Sequence, residues 1–144
     1  MKGRLMVVAG LLIFGALTCV WAESDEEVEA RKQVLDLTGA FSNDGFKLRD
    51  GHWAGQIKPA ERALIAVNLY AGNQYWFSAA AANAKAKNIA VGLYDEGGKP
   101  MTTESYNDGP RASAGFSPTL SGQYFVAVSV EGEPATVCLV YSYK

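Results

Sequence analysis

Five side chains are the ones that could do acid, base or metal chemistry: His52, Asp95, Glu96, Glu104 and Asp108. His52 is the only histidine, so no site built on several imidazoles can hold zinc and no relay through two histidines exists. A triad around His52 would need an activated serine, and no Gly-x-Ser-x-Gly elbow supplies one. Beside Trp53 at the start of a strand-like segment, His52 reads as a rim residue. A pair among the four acids would suit glycoside hydrolysis, but spacing alone sets no two of them across one cleft, and solvated turn acids are the simpler reading. Calcium accepts varied oxygen donors and could take Asp95 or Asp108 with backbone carbonyls. Asn107-Asp108-Gly109 lacks the spaced acids of an EF-hand loop, and no other cofactor is indicated. Gly97-Gly98-Lys99 has neither the length nor the following hydroxyl of a phosphate loop, and reads as a turn.

Binding chemistry is better represented than catalytic chemistry. Trp53, Trp76 and Tyr106 fall outside the inward-facing sets described below, and an outward tryptophan on a sheet can stack on a sugar ring or anchor a protein partner. The competing reading is that an N-terminal helix covers Trp53 or Trp76 with Leu35, Leu37 and Phe41.

The start of the chain bears on compartment. Lys2 and Arg4 precede an apolar stretch from Leu5 to Val20, and Val20 and Ala22 occupy the positions that a signal peptidase reads. Residues 1–22 are therefore expected to be a cleavable signal peptide, and the mature chain to be periplasmic or secreted. A retained anchor is disfavoured by the stretch's length and the lack of a basic stop-transfer cluster, so no transmembrane segment is expected after cleavage. Lipoprotein anchoring at Cys19 is the less favoured alternative, because Leu17 and Thr18 fit it less well.

Cleavage would leave about 122 residues, enough for one core. It would remove Cys19, so Cys138 could form no intramolecular disulfide and reads as a small buried hydrophobe. The mature charge would be −4, with 11 basic and 15 acidic residues. Five of the acids lie between Glu23 and Glu29, and the remainder is close to neutral. Neither a nucleic-acid footprint nor a polybasic membrane patch is present.

Residues 23–45 form an acidic leader and a short amphipathic helix. Ser24 with Glu27 three residues on resembles a capping box, and the early acids suit the helix dipole, although the first turn could equally be a solvated leader. Residues 46–144 form the main domain, in which the period switches to two. Eight or nine strands are expected, at 46–49, 52–57, 63–70, 74–80, 88–94, 101–106, 112–116, 122–130 and 135–143. The alanine-rich run 79–86 reads as a loop with a helical turn. Gly72-Asn73 reads as a two-residue hairpin.

Alternation assigns an inward face to five strands: Ile65, Val67 and Leu69; Tyr75, Phe77 and Ala79; Ile89, Val91 and Leu93; Tyr124, Val126, Val128 and Val130; Val137, Leu139, Tyr141 and Tyr143. Five one-faced strands need a partner layer, which makes a two-sheet sandwich the economical solution. The expected fold is all-β, a two-sheet antiparallel β-sandwich with a short N-terminal helix.

Three stretches resemble the bacterial pre-peptidase C-terminal domain, a secreted β-sandwich of jelly-roll type often appended to exported peptidases. They are the strand, glycine turn and aromatic strand from Val67 to Phe77, the alternating strand ending in Leu93-Tyr94-Asp95 before Gly97-Gly98, and Ser121-Gly122-Gln123-Tyr124. The resemblance spans about residues 52–144 and implies jelly-roll topology. The family often carries acids where this chain has Asn88 and Ala90, a departure that removes side-chain ligands from any calcium site the resemblance would imply.

Together these features lead to an exported, non-enzymatic β-sandwich module that binds an extracytoplasmic polymer such as a glycan, or an envelope protein. Two alternatives belong to other classes. One is a small periplasmic hydrolase, or a peptidase inhibitor presenting residues 101–111 as a rigid loop. The other is a structural envelope protein that docks through its acidic N-terminal segment. Oligomeric state is not legible in the residues.

Overall fold

The computed structural model describes residues 24–49, 53–83 and 86–144. The signal-peptide segment and His52 lie outside these residues.

Helix α1 runs Asp25–Ser42, 18 residues and about 27 Å long. Ser24 is its N-cap, its Oγ accepting from the Glu27 N–H at 3.2 Å, and Asp25, Glu26 and Glu27 place negative charge where the helix dipole is positive. Nine strands follow: β1 Lys47–Leu48, β2 Trp53–Ile57, β3 Arg62–Leu69, β4 Tyr75–Ala81, β5 Lys87–Asp95, β6 Glu104–Asp108, β7 Arg111–Phe116, β8 Gly122–Glu131 and β9 Ala135–Tyr143. They form two antiparallel sheets. The larger has the order β1-β9-β4-β7-β6, with β2 also on β9, and the smaller has β3-β8-β5. The protein is thus an all-β two-sheet sandwich with one helix, as expected.

The inward sets read from alternation all meet between the sheets. Phe77, Leu69, Ile89, Leu93, Val126, Val128 and Val137 are fully buried there, and Ile65, Val91, Tyr141 and Tyr143 pack against them from the rim. A second cluster lies on the other face of the larger sheet. There Ala30 and Val34 of α1 pack on Ala80, Cys138 and Val140, which makes the helix a third layer. The central strands β4 and β9 are consequently buried on both faces. Ser78 and Ser113 sit on this helix-facing side and share a buried hydrogen bond of 2.9 Å.

Three local expectations are corrected. The alanine run does not begin a loop at residue 79, since β4 continues through Ala81, whose N–H donates to Pro110 O. Small side chains are required there because one face meets the helix and the other the core, and that packing overrides helix propensity. The Gly72-Asn73 turn is no hairpin, because β3 and β4 lie in different sheets. Val67 and Phe77 both point into the core from opposite sides, so the chain must arch across the end of the sandwich, with Gly72 at φ +92°. The sixth strand starts at Glu104 rather than at residue 101. Met101 N–H still donates to Leu93 O beside the smaller sheet, and the chain changes sheet at Thr102 and Thr103.

Candidate functional site

The outer face of the larger sheet is only partly roofed. Helix α1 covers β9 and β4, which leaves the far strands β7 and β6 beside it. At one end of this strip an open cleft of about 430 Å³ is lined by Gln74, Trp76, Thr102, Thr103, Glu104 and Ser117. Its residues are brought together by register: Trp76 stands opposite Gly115 on β7, and Gly115 stands opposite Glu104 on β6. The sheet change at 102–103 brings the two threonines to the same rim.

Trp76 is fixed in place. A Cβ on Gly115 would fall 2.9 Å from the indole Cζ2 and Cη2, so the ring occupies space that any other residue at 115 would contest. Phe41 stacks on it at a centroid distance of 4.8 Å and 15° between planes. The helix therefore supplies the cover considered from sequence, through Phe41 and not through Leu35, which is exposed. Half-buried Trp76 presents to the cleft only what Phe41 and Gly115 leave uncovered.

The other expected ligand-binding residues are placed elsewhere. Trp53 belongs to the inward side: it pairs in register with Leu139, packs against the inter-sheet core and lies over Gly55, where a Cβ would sit 2.9 Å from its ring. Alternation within the short edge strand β2 puts Trp53 and Ile57 on one face, and Ile57 is buried. Tyr106 is 44% exposed on β6, opposite Ser113, on the same sheet face as Trp76, two strands away and two residues along, about 12 Å. Trp76 and Tyr106 thus share a surface that Trp53 does not join.

The carboxylates are dispersed. Asp95 Oδ1 accepts from Lys99 N–H at 2.8 Å and closes the turn after β5. Asp108 ends β6 beside Gly109, whose carbonyl accepts from Ile89 N–H at the opposite end of β5, so the two aspartates are about 20 Å apart. Glu104 and Asp108 stand at the two ends of β6, about 13 Å apart, beyond the span of roughly 5 to 9.5 Å used by paired glycosidase carboxylates. Residues 101–111 do not project as a rigid loop, because β6 is paired along its length with β7. Among the described residues no group of three or more His, Cys, Asp or Glu side chains is placed to hold a metal. A second open cleft of about 440 Å³ carries Asp25, Glu26 and Glu29 on one wall, and there Glu26 Oε2 accepts from Thr136 Oγ1 at 2.7 Å.

Gln74, Thr102, Thr103 and Ser117 went unmarked in the sequence. Their only signal is their position beside chain reversals, and it takes the sheet order to show that those reversals adjoin. No family model matches the chain, and no curated protein matches it.

Proposed function

We propose that this chain is an exported, non-enzymatic β-sandwich module that binds an extracytoplasmic polymer, a glycan in the first instance, in the cleft beside Trp76. The observation that carries the reading is the composition of that cleft. Two threonine hydroxyls, a serine hydroxyl, a glutamine amide and one carboxylate surround the border of a fixed indole, in a volume of about 430 Å³. Such a set donates and accepts hydrogen bonds to a hydroxyl-rich ligand, with an apolar edge for its C–H groups. The volume lies in the range of small-ligand sites. The cleft is open, as suits a chain that passes through it. Export is supported by the three-part pattern of residues 1–22 and, by analogy of fold, by the resemblance to the pre-peptidase C-terminal domain.

The test is retention on insoluble glycans. The protein is expected to be retained by at least one, and Glu104→Ala or Thr103→Ala to lose that retention while Asp95→Ala keeps it. Retention by no glycan, or by all variants alike, overturns the reading; capture of the chain by an envelope protein with no glycan retention would replace it with the protein-binding alternative.

A further inference from the structure

At the same end of the sandwich, on the opposite side of β4, a small notch opens between the sheets. Its volume is about 50 Å³, and four of its lining residues are Tyr70, Tyr75, Tyr141 and Tyr143. The others are Arg49, Asn68 and Asn73, so among the described residues the lining offers a guanidinium, phenols and amides. Its cation is carried just beyond β1, where the Arg49 backbone N–H donates to Tyr141 O at 2.9 Å.

Tyr75 is the unusual member. It is 4% exposed, and its phenolic oxygen accepts from Tyr70 N–H at 2.9 Å and from Asn73 Nδ2 at 3.2 Å. Both acceptor positions are filled, and its own hydrogen has no acceptor among the described residues. A buried donor left unpaired is costly, which favours an acceptor in the notch. Arg49 adds positive charge, and bonds from a guanidinium or phenol to an anionic oxygen are the strong ones. A volume of about 50 Å³, several times the roughly 10 to 15 Å³ that one water needs, admits a small group of atoms.

We infer that this notch is an oxyanion-binding subsite, in which Arg49 and the Tyr75 hydroxyl hold a carboxylate, sulfate or phosphate group. It does not rest on the glycan reading: Tyr75 lines both the cleft and the notch, but Arg49, Asn73 and Tyr70, which carry the notch's charge and hydrogen bonds, line the notch alone.

The test is an amide-resolved NMR titration of the chain with sodium acetate, sodium sulfate and sodium phosphate, against sodium chloride at matched ionic strength. The Tyr70 and Asn73 amides are expected to shift saturably with at least one of the three and not with chloride. Saturation by acetate alone marks a carboxylate subsite; saturation by sulfate or phosphate marks one for tetrahedral esters. Arg49→Gln and Tyr75→Phe should each weaken the response about tenfold, the loss of one charge-assisted hydrogen bond. Arg49 is exposed, so its variant keeps the fold even if Tyr75→Phe does not, and the unshifted remainder of the spectrum reports this. Drift equal to that in chloride, or saturation unchanged in Arg49→Gln, overturns the inference.

Discussion

At the scale of the residue, Trp53 and Trp76 are accommodated in the same way, each laid against a glycine with no room for a Cβ. Alternation reveals which face a tryptophan takes on a long strand, as it did for the inward Tyr75 and Phe77 flanking Trp76. It does not reveal what covers that face. The cover came from Gly115, about 40 residues away, and from Phe41 on the helix, and only the register joins them. Gly115→Ala is expected to displace the indole from Phe41 and cost about 1 to 3 kcal/mol, read as a change in tryptophan emission together with a lowered urea midpoint. The buried pair Ser78 and Ser113 makes a second case. Either single change to alanine strands the other hydroxyl and should cost about 1 to 3 kcal/mol, whereas the double change should cost less than the sum of the singles in the same unfolding measurement.

At the scale of the element, all nine strands and the helix were legible, because turn residues punctuate the chain and period-two alternation persists between them. The exceptions share one physical cause. The alanine run, the late start of β6 and the arch at Gly72 are all places where the partner layer, not local propensity, decides the conformation. Helix α1 shows the same dependence: only Ala30, Val34 and Thr38 are buried, a narrow stripe that acquires meaning from the small residues Ala80 and Cys138 beneath it. Val34→Asp would bury an unpaired carboxylate in that contact. It is expected to lower stability by more than about 3 kcal/mol in urea unfolding, whereas the same change at exposed Val28 should have little effect.

At the scale of the whole molecule, the chain passes from sheet to sheet at nearly every connection. Only β6 and β7 are sequential strands that pair with each other. Contacts are therefore predominantly non-local, and refolding after dilution from urea is expected in milliseconds to seconds, not microseconds, by stopped-flow fluorescence. The same winding explains why the candidate site was the least legible feature. Gln74, Thr102 and Ser117 belong to three different connections, Glu104 begins β6, and they become neighbours only once β4, β7 and β6 are aligned. The acids that looked most chemical in the sequence were dispersed by the strands carrying them, Asp95 and Asp108 to opposite ends of β5. The aromatic positions were divided between the two faces of one sheet. The surface on which the proposed glycan reading rests is the cleft beside Trp76.

The most direct test of that surface is an amide-resolved NMR titration of the chain with soluble oligosaccharides cut from the glycans that retain it. Shifts are predicted to be confined to Gln74, Thr102, Thr103, Glu104, Gly115 and Ser117 and to vanish in Glu104→Ala with the rest of the spectrum unchanged. Shifts that map elsewhere, such as around exposed Leu120, or no shift with any oligosaccharide, would contradict the account.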